Sequence, residues 1–225
     1  MIVDIGIILI LIMFTIGGLK KGIIKAGISL VGLIIIYVIS FSLKGIIGNL
    51  LCKYLPFFNL EGNYNGLTSI NILIYQLIGF LLIFGILLSV YMIVLNLAKV
   101  LDTAANLTLV LIIPSKLLGG LLGLIEGYII VFVCLVFLMA PLHNVDMFTE
   151  SKLVNHIVYK SPLLTKYISP VTDTLKESYE LGEDIRNDKI TKKKANKKIL
   201  KMMVKNKIVK QSFVDELIES GKLKM

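Results

Sequence analysis

Cysteine is nearly absent from this chain of 225 residues, which holds only Cys52 and Cys134, the second inside an apolar run. Such a pair supports neither a disulfide framework nor a metal cluster, so both read as small hydrophobes. Charge is scarce as well, at 17% of residues against 56% hydrophobic, with a mean hydropathy of +0.85. A water-soluble domain does not carry that balance. No glycine-rich phosphate loop, GxSxG elbow, HExxH or CxxC occurs, so no nucleophile, metal or cofactor site is recognisable and the chain reads as no enzyme. His143 and His156 lack a cysteine or acid cluster beside them and read as solvent-exposed, not as ligands. The N-terminus has no basic n-region or small-residue cleavage site, so the first apolar segment is expected to stay in the mature protein.

What is present is a series of about four long apolar stretches within residues 2–142. A buried helix rarely needs ~20 consecutive apolar residues, whereas a bilayer span does. The first stretch, about Ile5 to Leu19, ends at Gly17-Gly18 with Lys20 and Lys21 as headgroup anchors. The second, about Ile23 to Leu43, follows after only a tight turn, so the two predict an antiparallel hairpin. Lys25 near its start can snorkel. Residues 44–69 carry Pro56, Asn59, Glu61, Gly62 and Asn63 and read as an aqueous loop. A third span, Ile70 to about Leu97, has Asn71 and Asn96 at its wet ends. The patch Leu107 to Ile113 stops at Pro114, is too short to cross, and reads as interfacial or re-entrant. The fourth span is Leu117 to Leu142. The predicted fold class is therefore all-α: a polytopic membrane protein, a bundle of about four transmembrane helices with a basic helical C-terminal tail. Residues 1–142 form the membrane domain, 143–172 a connecting segment and 173–225 a lysine-rich amphipathic tail.

Lys20, Lys21 and Lys25 favour a cytoplasmic first turn, which with an even span count puts both termini outside. The tail, from Lys189 to Lys210, holds ten lysines and no acid. Its apolar positions Ile199, Leu200, Met203, Val204 and Ile208 suit either a helix lying on an anionic lipid surface or wall polymer, or a small helical unit packed on itself. Nucleic acid is not expected, since aromatics and arginine are not interleaved with the lysines.

Two small-residue lines stand out. Gly119, Gly123 and Gly127 recur every four residues along one face of the fourth span, and Gly18, Gly22 and Ala26, with Ser29 near the same face, join the first two spans. Such faces let helices approach closely, within the monomer or in a homo-oligomer. Glu126 is the acid of the fourth span. An unpaired carboxylate in lipid costs at least ~2.5 kcal/mol, so it must face protein, water or the interface. Its expected partner is Lys25 or Lys116, and its role is open between structure and function.

Gly18, Lys21, Gly22, Lys25, Ser29 and Leu30, followed by Leu101, Asp102, Gly119, Gly123 and Gly127, resemble the two signatures of the colicin V production protein family, CvpA. The stretches Ser151-Lys152-Leu153-Val154 and Ser161-Pro162-Leu163-Leu164 resemble the family's region after the last span. The resemblance covers about residues 1–165. It departs at Glu126, where the family usually has Arg or Lys, and in the tail after Asp173. It implies a non-enzymatic, multi-pass protein of the bacterial cytoplasmic membrane, needed for producing or exporting a peptide toxin and for envelope maintenance, with secretion or envelope proteins as partners. Lys21, Lys25, Asp102 and Glu126 are the candidate functional polar residues. The competing reading is a small oligomeric channel or transporter in which Glu126, Asn96, Gln76 and Ser89 line a polar path.

Overall fold

The protein is described from a computed structural model that covers residues 2–101, 112–139, 150–161 and 164–223. Among the described residues there are seven α-helices and no strand: α1 (Ile2–Tyr54), α2 (Ile70–Leu101), α3 (Ile112–Met139), α4 (Lys152–Lys160), α5 (Leu164–Arg186), α6 (Lys192–Lys205) and α7 (Gln211–Glu219). Three helices are long and apolar enough to cross a membrane, over Ile2–Tyr54, Ile70–Asn96 and Pro114–Leu138. In their most apolar stretches only 11%, 17% and 44% of residues are buried by protein, so hydrocarbon must cover the rest. The outward side chains are large aliphatics such as Ile12, Met13, Ile35, Ile86 and Leu121. This is a helical membrane protein.

Gly22 breaks α1 at φ 72° and ψ 172°, a region of backbone space open essentially to glycine alone. Both resulting arms run beside α3. Phe14, Gly18 and Gly22 lie against Gly127, Gly123 and Gly119 in turn, while Gly27 meets Leu122 and Ser29 meets Glu126. Moving away from Gly22 in either direction leads up α3 the same way, so the arms fold back on each other as the expected hairpin. The reversal leaves the Ile23 amide without an intrahelical acceptor, and Ser115 Oγ of α3 takes it at 3.2 Å.

The chain clusters into two compact units, Met1–Ile39 with Phe84–Thr165, and Ser40–Ile83 with Lys166–Met225. In the first, the hairpin, the second half of α2, α3 and α4 share a core around Ala26, Leu33, Phe132 and Val158. Asp4 accepts from Ser151 Oγ (2.7 Å) and from the Leu153 amide (3.2 Å) at the start of α4. Tyr128 of α3 bonds Ser161 at the other end of α4 (2.6 Å).

In the second unit α5, α6 and α7 bury Leu175, Leu181, Ile199, Leu200, Met203, Phe213 and Leu217. Ile199, Leu200 and Met203 of the tail's apolar stripe are thus buried in a unit that the tail shares with residues 40–83. Asn196 of α6 is its polar hub. Its Oδ1 accepts from the Ser69 amide and hydroxyl, each at 2.8 Å, and its Nδ2 donates to Gly66 O. At the far end Lys222 donates to Cys52 O (3.0 Å) and Leu55 O (2.7 Å), satisfying carbonyls at the C-terminus of α1.

Several boundaries differ from the sequence reading. Residues 44–54 are helix, not loop, because Gly45 and Gly48 are not breakers here. A Cβ on Gly48 would fall 2.5 Å from Gln76 Cα, and one on Gly79 2.6 Å from Gly48 N, so small residues let α1 and α2 touch. Asn71 is not a wet end. It is fully buried, taking the Phe58 amide at 2.7 Å and donating to Phe58 O and Thr68 O. The connecting segment contains α4, and α5 begins nine residues before Asp173, with Pro170 inside it. Pro114 lies in the first turn of α3, where no amide donor is needed. Most of the Leu107–Ile113 patch lies outside the described residues, as do Asp102, Pro141 and His143. His156 is exposed on α4.

Candidate functional site

The site is built where the hairpin turn meets α3, entirely inside the first unit. Gly119, Gly123 and Gly127 fall on one face of α3, and Glu126, three residues after Gly123, projects from that same face. Glycine is required here by contact distance. A Cβ on Gly119 would lie 2.5 Å from Gly18 O, one on Gly127 2.7 Å from Phe14 Cβ, and those on Gly18 and Gly123 would collide with Gly119 O and Phe14 O. The two glycine lines therefore face each other within one chain, with Ala26 fully buried beside them.

Backbones this close bring polar side chains within reach across the junction. Ser29, buried at 4% exposure, donates from Oγ to Glu126 Oε1 at 2.8 Å. Lys21 Nζ reaches Glu126 Oε2 at 3.5 Å and Ser29 Oγ at 3.2 Å. Both carboxylate oxygens are engaged, which offsets the cost of holding charge at an apolar junction. The pair is asymmetric. The Glu126 side chain is 12% exposed while that of Lys21 is 42% exposed, so the ammonium reaches outward from the same cluster.

The sequence-expected residues are distributed as follows. Gly18, Gly22, Ala26, Ser29, Gly119, Gly123, Gly127, Lys21 and Glu126 come together. Lys25 and Lys116, expected as partners of Glu126, are exposed, and the partners found are Lys21 and Ser29. Of the other residues of the candidate polar path, exposed Ser89 donates to Gly85 O of its own helix at 2.8 Å, and Gln76, in the second unit, donates to Ile208 O at 2.8 Å.

Sequence reasoning passed over Tyr91, whose hydroxyl donates to Ile28 O at 3.0 Å while its ring lies over Gly32. A tyrosine inside an apolar run needs a partner for its hydroxyl, and that was the available signal. Ser115 and Asp4 were likewise passed over. Among the described residues no group of three or more His, Cys, Asp or Glu is placed to hold a metal ion.

A family model described as Colicin V production protein matches residues 3–162. No curated protein and no solved structure matches the chain.

Proposed function

The chain belongs to the colicin V production protein family, a membership that carries a role in colicin V production, and from that premise we propose that it is a non-enzymatic, multi-pass scaffold of the bacterial cytoplasmic membrane acting in bacteriocin production or export and in envelope maintenance. One observation supports this most: the glycines of the two sequence signatures pack into a single junction around Glu126, Lys21 and Ser29. A closed, paired junction suits a protein that holds a shape for partners. An open polar path would need several unpaired polar groups at successive depths.

Partners in this reading are secretion or envelope proteins, together with anionic lipid or wall polymer meeting the exposed lysines of α6. The glycine faces are filled within the chain, so a homo-oligomer would have to use the aliphatic outer faces. The test is deletion of the gene in a toxin-producing host, with toxin activity measured in medium and cells. Loss of released toxin, restored by the wild-type gene and not by Gly119→Leu at equal membrane abundance, is expected. Full toxin release by the deletion strain would sink the proposal. In proteoliposomes no ion flux is expected; a flux abolished by Glu126→Gln would favour the channel instead.

A further inference from the structure

A second concave site lies wholly in the second unit and plays no part in the junction above. It is a cavity of about 760 Å³ between residues 41–49 of α1, Gln76 of α2, Pro170 and Val171 of α5, and the turn 206–210 joining α6 to α7. Three lysines line it, Lys44, Lys207 and Lys210, and no acid does. Lys44 is half-buried, its ammonium 3.5 Å from the centroid of the Phe41 ring, and among the described residues no carboxylate pairs with it. A partly desolvated cation without a counter-ion is costly unless an anion arrives.

Two further features suit a particular kind of anion. Asn49 Oδ1, also lining the cavity, is buried with no hydrogen-bond partner among the described residues, so it lacks a donor. Lys44 is also the first charged residue after the uncharged run 26–43, which at about 1.5 Å per residue approaches the ~30 Å thickness of hydrocarbon. Leu43, Ile46 and Leu50 beside it are exposed aliphatics suited to acyl chains. The wall is also fixed in place: Gln76 Nε2 donates to Ile208 O at 2.8 Å, tying the lysine-bearing turn to α2.

We propose that this cavity binds a phosphate anion, held by Lys44, Lys207 and Lys210, with Asn49 accepting from a hydroxyl on the same molecule. A hydroxylated phospholipid headgroup and free phosphate share the recognised group, and the experiment separates them. The full-length chain is placed in phosphatidylcholine nanodiscs, phosphatidylglycerol is titrated in, and retained lipid is counted by native mass spectrometry. In parallel, inorganic phosphate is titrated into pure phosphatidylcholine nanodiscs and followed by phosphorus NMR. Lys44→Gln and Lys207→Asn are each expected to weaken binding about tenfold or more, a loss of about 1.4 kcal/mol. Lys207 sits at φ 55°, which asparagine tolerates, so that variant keeps the turn. Lys197→Gln and Lys201→Gln, on the exposed face of α6, should change nothing.

Lysine-dependent retention of phosphatidylglycerol alone identifies a lipid site. Saturation by inorganic phosphate through the same lysines identifies a soluble-anion site. Binding of neither ligand, or equal weakening by the α6 controls, overturns the proposal.

Discussion

Glu126 is held by two groups of unequal worth. Lys21 is the formal counter-charge, but its side chain is 42% exposed and 3.5 Å away, the kind of ion pair that contributes about 0–1 kcal/mol. Ser29 is neutral, yet it is buried and 2.8 Å from the carboxylate, and its removal leaves a buried acceptor without a donor, at about 1–3 kcal/mol. Ser29→Ala should therefore lower the thermal stability of the detergent-solubilised protein more than Lys21→Gln does. The reverse order in melting temperature would mean that charge, not hydrogen bonding, keeps Glu126 in place. Sequence alone could say that Glu126 needed a partner, because an apolar run around an acid states the cost. It pointed to Lys25 or Lys116 and missed Lys21, since each lysine stem is long enough to answer and only the register of the junction selects one.

At the scale of helices, glycine does two different jobs that its sequence pattern does not separate. Gly17 and Gly18 are adjacent, yet a Cβ on Gly17 meets nothing within 4 Å while one on Gly18 would strike the α3 backbone. Gly17→Ala should be neutral or stabilising by about 0.5–1 kcal/mol, since alanine is the better helix former. Gly18→Ala should destabilise by about 1–3 kcal/mol through overpacking. Thermal melting of the two variants side by side checks this, and equal shifts would refute the close approach.

Gly22→Ala should be costly for another reason, about 1–3 kcal/mol of backbone strain at φ 72°. The hairpin and the line Gly119, Gly123, Gly127 were legible because they are local and periodic. The contact between Gly48 and Gly79 was not, because Gly48, between Lys44 and Asn49, reads equally well as loop, and Gly79 is a lone glycine inside an apolar run.

For the whole molecule, individual contacts fix which segments share a side of the membrane. The bond from Ser69 to Asn196 requires the loop before α2 and the tail to lie on the same side. The bond from Asp4 to Ser151 requires the same of the start of α1 and the start of α4. Reporter fusions after Ser69 and at Met225 should therefore report one compartment, in keeping with an even number of crossings. Opposite compartments would contradict both the span count and the packing of Asn196.

The sequence by itself determined that the N-terminal part belongs in hydrocarbon, that a tight turn falls between Leu19 and Ile23, and that the tail is helical. These are sums over neighbouring residues: transfer free energy, helix period and turn chemistry all act along the chain. Only the tertiary structure decided that Ser29 and Lys21 take Glu126, that Ile199, Leu200 and Met203 of the tail are buried by protein, and that Asn196 clasps a loop 127 residues away in sequence. Such pairings depend on how two distant surfaces come into register, a condition to which neither segment alone gives a local signal.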